Sequence, residues 1–329
     1  MSELYVPRPV VGVASSFDGI INNAVDECAA VSFGAYDVLS PGKLKSIGLG
    51  RLAHPADLTP DHRDHRGYEA FRRLRPLVAK AGDYLPVVEI IHEEPGAIDR
   101  MLADPNNREA YQDAIQVYKT RLEAAKADGR WEKFGQKKVG VFYIERNRLK
   151  TLDEQAWNGM QSPMAQTVRE FHTLVDAAEV TSDGKFIDGY APFFASSKDP
   201  VSIFDLCLLY SREDRLETGM VGPGAQCVIS RDRIYGNDVG EGDKVIQLSK
   251  VASTLRSSHD RIVRVDDRFD REEVDALRAA GFDHVVVMEG GYVFPWDLDE
   301  AREEGSGVTV LPREGFAQAF SDYAKAEGF

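Results

Sequence analysis

Cysteine is scarce in this chain of 329 residues, and it never occurs in closely spaced pairs. The three cysteines, Cys28, Cys207 and Cys227, are an odd number and lie far apart. This usage argues against a disulfide scaffold and against a zinc site made of Cys-x-x-Cys pairs. All three lie in apolar stretches, so we expect buried structural thiols in a reducing compartment.

Positive charge is also in short supply. The chain has 40 Lys and Arg residues against 54 Asp and Glu residues, a formal net charge of -14. Non-specific attraction to nucleic acid or to an anionic membrane is therefore disfavoured, since it needs clustered cations. No apolar run approaches the roughly 18 residues of a membrane span, and Met1–Tyr5 has no signal-peptide pattern. We expect a cytoplasmic protein with no membrane insertion.

Complete catalytic motifs are missing as well. The chain contains no Gly-x-Ser-x-Gly elbow, no His-Glu-x-x-His pair, no Gly-x-Gly-x-x-Gly fingerprint and no Walker loop. The sequence therefore identifies no nucleophile and no dinucleotide site by motif. It leaves the oligomeric state open.

The clearest pattern that is present is a strand–helix–strand unit near the C-terminus. Arg261–Val265 is short and β-branched, and Asp270–Gly281 has apolar residues at helical spacing. His284–Met288 is apolar without alternation, which is typical of a strand buried on both faces of a parallel sheet. With a further strand at Val10–Ala14, these patterns predict an α/β fold with a mixed, largely parallel sheet and flanking helices.

The rest of the chain predicts further elements of both kinds. Extended segments are predicted at Tyr84–Ile91, Lys138–Ile144, Phe186–Ala195 and Val201–Tyr210. Helices are predicted at Asp61–Lys80, in two parts of Ala97–Asp128, and at Pro163–Ala178, Val245–Leu255 and Phe316–Ala326. Residues 180–235 have few helical patterns and predict a β-rich insertion. Since no linker is evident, we predict one elaborated domain over residues 1–329, with 180–235 as an optional β-rich subdomain.

Carboxylates follow several predicted strands. Asp18 lies in the turn after the first strand, and Glu289 ends the last strand of the C-terminal unit. Asp266 and Asp267 follow another strand. In open α/β sheets, sites form beyond the carboxyl ends of the strands. If these strands are neighbours, Asp18 or Glu289 could act as acid, base or metal ligand. The alternative is that each is an ordinary surface acid.

A basic run is unusual in so acidic a chain. It contains Arg63, Arg66, Arg72, Arg73, Arg75 and Lys80. The planar guanidinium of arginine pairs with two phosphate oxygens, so Arg66, Arg72 and Arg73 are candidate phosphate ligands. The alternative is a solvated helix whose arginines pair with nearby carboxylates.

A histidine pair overlaps the basic run. On a helix, His62 and His65 are three residues apart and share a face. With the neighbouring aspartates, their imidazoles could bind zinc, manganese or iron. The alternative is a solvated helix start whose acidic residues favour the helix dipole.

Two segments resemble the dihydrofolate-reductase-like reductases of riboflavin biosynthesis. Arg8–Gly19 is similar to the opening strand and Ser-x-Asp-Gly turn of that family, and Leu277–Gly291 is similar to its later helix, strand and Glu-Gly-Gly loop. The resemblance implies that Ser16 and Asp18 line a substrate site. It further implies that Gly290 and Gly291 approach the phosphates of NADPH.

Taken together, these patterns favour an intracellular enzyme that acts on a nucleotide or another phosphorylated small molecule, with the reaction type open. Asp18 and Glu289 are the candidate catalytic residues. The candidate substrate-binding residues are Ser16, Arg66, Arg72, Arg73, Gly290 and Gly291. The alternative is a non-catalytic assembly or interaction protein, which fits the missing motifs, and a third hypothesis is the NADPH-dependent reductase that the resemblance implies. The cofactor stays open between a divalent metal and NADPH.

Overall fold

The computed structural model describes residues 11–176, 179–180, 186–196, 198–218, 231–236, 239 and 244–328. The chain forms two compact units. Unit 1 consists of Met1–Asn22 and Pro163–Phe329, and unit 2 consists of Asn23–Ser162. The prediction of a single elaborated domain stays a prediction.

The elements are numbered in chain order. The strands are β1 (Val11–Ser15), β2 (Asn22–Asn23), β3 (Ser162–Pro163), β4 (Glu179–Val180), β5 (Phe186–Asp188), β6 (Tyr190–Ala195), β7 (Ile234–Tyr235), β8 (Arg261–Asp266), β9 (His284–Met288) and β10 (Thr309–Leu311). The helices are α1 (Val25–Leu39), α2 (Pro60–Asp64), α3 (Arg66–Leu74), α4 (Tyr84–Glu93), α5 (Pro95–Ala103), α6 (Arg108–Ala127), α7 (Arg130–Gly135), α8 (Val141–Leu152), α9 (Glu154–Asn158), α10 (Ala165–Asp176), α11 (Pro200–Thr218), α12 (Lys244–Arg256), α13 (Arg271–Ala279), α14 (Pro295–Ala301) and α15 (Phe316–Ala326).

Unit 1 contains a six-stranded sheet in the order β10-β9-β8-β1-β6-β7. Its strand pairs are parallel, with β1 between β6 and β8. The side chains of β1 are buried on both faces. Val11 and Val13 face one hydrophobic core, and Ala14 faces the other. An apolar strand without alternation is the expected sequence for this position, since helices cover both faces of a parallel sheet. The predicted α/β fold is confirmed.

The strand order of unit 1 reverses beside β1. From β1 the chain proceeds to β6 and then outward to β7, after which it returns to the other side of β1 and continues through β8, β9 and β10. The reversal therefore lies between β1 and β8. Ligands of open α/β sheets bind outside the carboxyl ends of the strands at such a reversal.

Unit 2 is helical and has a buried centre. Residues 27–36 of α1 are all buried, and the ring of Phe33 packs edge-on against the rings of Tyr68 and Phe71. Two buried carboxylates in this unit are neutralised by arginines. They are Glu27, paired with Arg146, and Glu145, paired with Arg51 and Arg148.

Three extended segments predicted from sequence are wrong. Tyr84–Ile91 belongs to helix α4, where all eight residues are buried, so its apolar run lacks the periodicity of a surface helix. Pro86 is tolerated there because it lies in the first turn. The predicted strand Lys138–Ile144 overlaps the start of α8, and Val201–Tyr210 lies in α11, which begins at Pro200.

The predicted β-rich insertion is only partly extended. Phe186–Ala195 contains β5 and β6, as predicted, and β6 belongs to the main sheet. Most of the remaining extended structure expected before residue 235 is replaced by α11, while residues 219–230 lie outside the described residues. Cys28 and Cys207 are buried thiols, as expected, and Cys227 lies outside the described residues. None of the described helices has the length and apolar character needed to cross a membrane.

Candidate functional site

Charged and hydroxyl side chains gather where the strand order of unit 1 reverses. We call Ser16, Asp18, Lys198, Arg264 and Asp266 the crevice cluster. The first two follow β1, Lys198 follows β6, and Arg264 and Asp266 belong to the last half of β8. Because these strands are parallel neighbours, their carboxyl ends lie at one edge of the sheet.

The first half of the cluster is an ion pair between Lys198 and Asp18. Lys198 Nζ donates to both carboxylate oxygens of Asp18, at 2.8 and 3.1 Å. The lysine side chain is only 5% exposed, whereas that of Asp18 is 22% exposed. A buried ammonium group needs a charged partner, and Asp18 supplies it. The pair therefore places a cation and a proton-accepting group side by side, with the carboxylate the more accessible of the two.

A hydrogen-bond chain orients the Asp18 carboxylate. Asn22 Nδ2 donates to Asp18 Oδ1 at 2.6 Å, and the buried Tyr210 hydroxyl donates to Asn22 Oδ1 at 2.5 Å. The turn that brings Asn22 back to Asp18 closes at Gly19, whose amide donates to the Asn22 carbonyl and whose φ of +82° favours glycine. Tyr210 and Asn22 are therefore positioning residues for Asp18.

The second half of the cluster is built around Arg264. Its side chain is fully buried, and its Nε and Nη2 atoms donate to Asp266 Oδ2 at 3.1 and 2.8 Å. Arg264 Nη2 also donates to Ser16 Oγ at 2.5 Å, and Ser16 Oγ donates to Asp266 Oδ1 at 3.1 Å. We call Ser16, Arg264 and Asp266 the triad. The polar groups of these three side chains bind one another, as buried charges require.

Electrostatics keep Asp266 ionised. Burial by itself would raise its pKa, but the Arg264 guanidinium and the Lys244 ammonium hold the pKa of Asp266 well below its usual range. A carboxylate with so low a pKa is a weak base. Ser16 therefore has no strong proton acceptor in Asp266, and the geometry does not activate its hydroxyl as a nucleophile.

Close packing joins the loops that follow β1, β8 and β9. A Cβ atom on Gly19 would lie 2.3 Å from Asp267 Oδ2, and one on Gly291 would lie 2.4 Å from the Asp267 carbonyl oxygen. Arg313 Nη2 donates to the Gly19 carbonyl at 2.8 Å, and its Nε donates to the Glu289 carbonyl at 3.2 Å. These contacts require glycine at both positions and hold the loops beside the crevice cluster.

The other residues predicted at the end of β9 lie outside the crevice cluster. Glu289 is half-buried and forms an ion pair with Arg302. Gly290 has a φ of +72° and lies against the Arg313 side chain. The structure accounts for the glycine pair by loop packing, so an approach of Gly290 and Gly291 to a dinucleotide stays a prediction, as does a catalytic role for Glu289.

The predicted arginine site lies in unit 2. Each of the three guanidinium groups has a carboxylate partner within that unit. The pairs are Arg66 with Asp99, Arg72 with Asp26 and Arg73 with Glu69. Their recognition of phosphate stays a prediction, and these ion pairs fit the alternative of a solvated, internally paired helix.

The predicted histidine site also lies in unit 2. His65 caps α3 by accepting the Gly67 amide at Nδ1, at 3.0 Å, and His62 Nδ1 lies 2.9 Å from Thr59 Oγ1. Within the described ranges, no group of three or more His, Cys, Asp or Glu side chains is arranged to hold a metal ion. A metal role for His62 and His65 stays a prediction without support from this geometry.

Sequence reasoning missed four residues of this region. Lys198, Tyr210 and Arg313 reach Asp18 or its loop from segments far apart in the chain, and no local pattern marks them. Asn22 lies in the same turn as Asp18, four residues later, but its amide carries no motif of its own. Arg264 did carry a signal, because it interrupts the β-branched run of a strand buried on both faces, where a charge must have a partner.

Comparison with known proteins gives structural likeness only. No family model matches the chain, and no curated protein matches it. Similar solved structures include a protein described as a predicted phosphatase from Clostridium acetobutylicum, with a TM-score of 0.44 and 9% identity, covering 97% of this chain and 100% of that chain. A haloacid dehalogenase-like family hydrolase from Streptococcus pneumoniae has a TM-score of 0.40 and 9% identity, covering 96% and 98%. A hydrolase from Pseudomonas syringae has a TM-score of 0.40 and 11% identity, covering 98% and 99%. These values are too low to establish a shared family.

Proposed function

We propose that unit 1 binds the phosphate group of a small molecule at the crevice cluster and that Asp18 transfers a proton there. The observation that carries the proposal is the Lys198–Asp18 pair, a buried ammonium and an accessible, oriented carboxylate beyond the carboxyl ends of β1 and β6, beside the reversal of strand order. The activities named for the similar structures are not needed for this proposal.

The pair has the chemistry that a phosphate monoester requires. An ammonium group is a good point-charge ligand for phosphate oxygens. A phosphate group can take the place of the carboxylate beside Lys198 if Asp18 binds a proton, and Asp18 then becomes a hydrogen-bond donor. This exchange keeps the buried lysine paired throughout, so it avoids the penalty of an isolated buried cation.

Hydrolysis of the bound ester follows from the same arrangement. The oxygen of an attacking water forms a bond to phosphorus while the bond between phosphorus and the alcohol oxygen breaks. Protonated Asp18 gives its proton to the leaving oxygen as general acid. The attacking water passes a proton to a phosphate oxygen, and the product phosphate then returns one proton to Asp18. The products are the alcohol and inorganic phosphate.

A specific observation favours a second candidate function, ligand binding without turnover. Ser16 is held between Arg264 and Asp266, and Asp266 is a weak base, so the triad contains no activated nucleophile. If the water is also not activated, unit 1 is a binding module. A binding module without turnover is the non-catalytic alternative that the sequence analysis left open.

Thermal stability and phosphate release together test the proposal. The full chain is melted with inorganic phosphate, a sugar phosphate, a nucleoside monophosphate and NADPH, and phosphate release is measured with the same monoesters. A ligand at about 100 times its dissociation constant stabilises the folded state by about 2.7 kcal/mol. Melting shifts with the phosphorylated ligands support binding, and their absence at saturating concentrations would refute the proposal. A shift with NADPH alone would favour the reductase hypothesis instead.

Two variants separate binding from proton transfer. Asp18→Asn removes the acid and a negative charge, so phosphate binding should persist while phosphate release falls by about 10²–10⁴-fold. Lys198→Met should weaken binding itself. Lys126→Met is the control, because Lys126 forms an exposed pair with Glu123 in unit 2. If Lys198→Met binds phosphate as tightly as the Lys126→Met control does, the crevice cluster is not the site. If the parent protein binds the monoesters but releases no phosphate from them, unit 1 is a binding module without turnover.

A further inference from the structure

The carboxylates of the crevice cluster are already neutralised by cations that the chain itself supplies. Asp18 accepts two contacts from Lys198 and one from Asn22. Asp266 accepts two contacts from Arg264, and Lys244 Nζ lies 3.5 Å from its Oδ2. A divalent cation such as magnesium, if bound by Asp18 and Asp266, would need these same oxygens as ligands.

The register of the sheet holds Arg264 in this position. Arg264 pairs with Ala14 across the β1–β8 ladder, and Ser15 pairs with Val265. Because side chains alternate between the faces of a sheet, Arg264 and Asp266 lie on one face, with Ala14 and Ser16 on that face of the neighbouring strand. Arg264 Nη1 donates to the Ala14 carbonyl at 3.3 Å. The guanidinium is therefore fixed by the backbone register and is not a surface group that can swing away.

A metal ion would have to displace this buried cation. Arg264 has no exposed surface, so losing Asp266 to a metal would leave its guanidinium buried beside a second cation. The donor set of the cluster therefore does not fit a divalent metal. This disagrees with the sequence-based option that Asp18 acts as a metal ligand.

We infer that the crevice cluster recognises a phosphate group without a divalent cation, with Arg264, Lys198 and Lys244 supplying the positive charge. This inference rests on the proposed function, because it specifies how the same site binds its ligand. The Arg264 guanidinium neutralises the Asp266 carboxylate, so that Asp266 does not repel the phosphate group. Lys244 is 42% exposed and is the most accessible of the three cations.

Calorimetric titration of the full chain with inorganic phosphate tests the inference. One titration is made with a chelator and one each with magnesium and manganese. The three dissociation constants should agree, and manganese titrated into the protein without phosphate should give no binding heat. Phosphate binding that appears only with a metal would overturn the inference while leaving the proposed function standing. Phosphate binding under none of these conditions would refute both.

Asp266→Asn gives an independent test that keeps the shape of the side chain. It removes the carboxylate that neutralises Arg264, while Lys244 keeps its ion pair with Glu273. Phosphate affinity should therefore rise by about tenfold, which corresponds to about 1.4 kcal/mol. The chelator should still have no effect. Asp299→Asn is the control, since Asp299 forms an exposed pair with Arg302. An unchanged or lower affinity in Asp266→Asn, with the fold verified by circular dichroism, contradicts the role given to Arg264.

Discussion

Asp18→Asn should destabilise unit 1 more than Lys198→Met, although the two substitutions break the same ion pair. The reason is the difference in exposure: the Lys198 side chain is 5% exposed and the Asp18 side chain is 22% exposed. Removing the carboxylate deprives the buried Lys198 ammonium of its ion pair with Asp18, and breaking a buried ion pair in this way costs about 3–5 kcal/mol. Removing the ammonium leaves a carboxylate that water can reach and that still accepts the Asn22 amide, which costs about 1–3 kcal/mol.

The expected difference is therefore about 2 kcal/mol in the free energy of unfolding. Urea denaturation followed by circular dichroism measures it, with the slope of the transition checked for each variant. The double variant should be more stable than Asp18→Asn, because it no longer contains the buried Lys198 ammonium that has lost the Asp18 carboxylate. Arg302→Met, which breaks the exposed pair with Glu289, serves as the control and should cost about 0–1 kcal/mol. Equal costs, or a larger cost for Lys198→Met, would show that the burial argument is wrong.

Three further predictions concern the same region. The folded-state pKa of Asp266 is depressed, so its ionisation stabilises the folded state above the unfolded pKa of about 3.9. This stabilisation is lost as the pH falls below that value. Acid unfolding of Asp266→Asn should therefore depend less on pH than acid unfolding of the parent protein. Gly19→Ala should lower the free energy of unfolding by more than the about 1–2 kcal/mol of left-handed strain, because its Cβ would also clash with the Asp267 carboxylate. Gly42 has a similar φ and open space around it, so Gly42→Ala should cost the strain alone. Equal losses of stability in thermal denaturation would contradict the clash. Tyr210→Phe removes the hydrogen bond to Asn22 and should lower the rate of phosphate release more than phosphate affinity, while a proportional loss in both would argue against a positioning role.

Local sequence patterns predicted the framework of unit 1 well. The strand–helix–strand of β8, α13 and β9 is confirmed, as is the first strand, because β-branched runs and helical periodicity are local signals. The same reasoning failed for Tyr84–Ile91 and Val201–Tyr210. A short apolar run is compatible with both a buried strand and a buried helix, and only its surroundings decide between them.

The candidate site was predictable only in part. Asp18 was identified because it follows a strand, and Ser16 because of the resemblance to the reductase family; the structure places both in the crevice cluster. Glu289 also follows a strand, yet it is paired with Arg302 at the surface. The rule that sites form at strand ends does not say which end lies at the reversal of strand order, and that order is a property of the whole sheet.

By itself, the sequence determined that this is an α/β protein with a largely parallel sheet, since alternation, burial and turn signals act over a few residues. Tertiary structure decided which charges meet. Lys198 lies 180 positions from Asp18, and Arg264 lies 248 positions from Ser16. These contacts depend on strand order and register, because parallel neighbours bring distant segments to the same edge of the sheet. The pairing of buried lysine with aspartate and of buried arginine with aspartate, which underlies the proposed function, is therefore a consequence of the fold and not of any local motif.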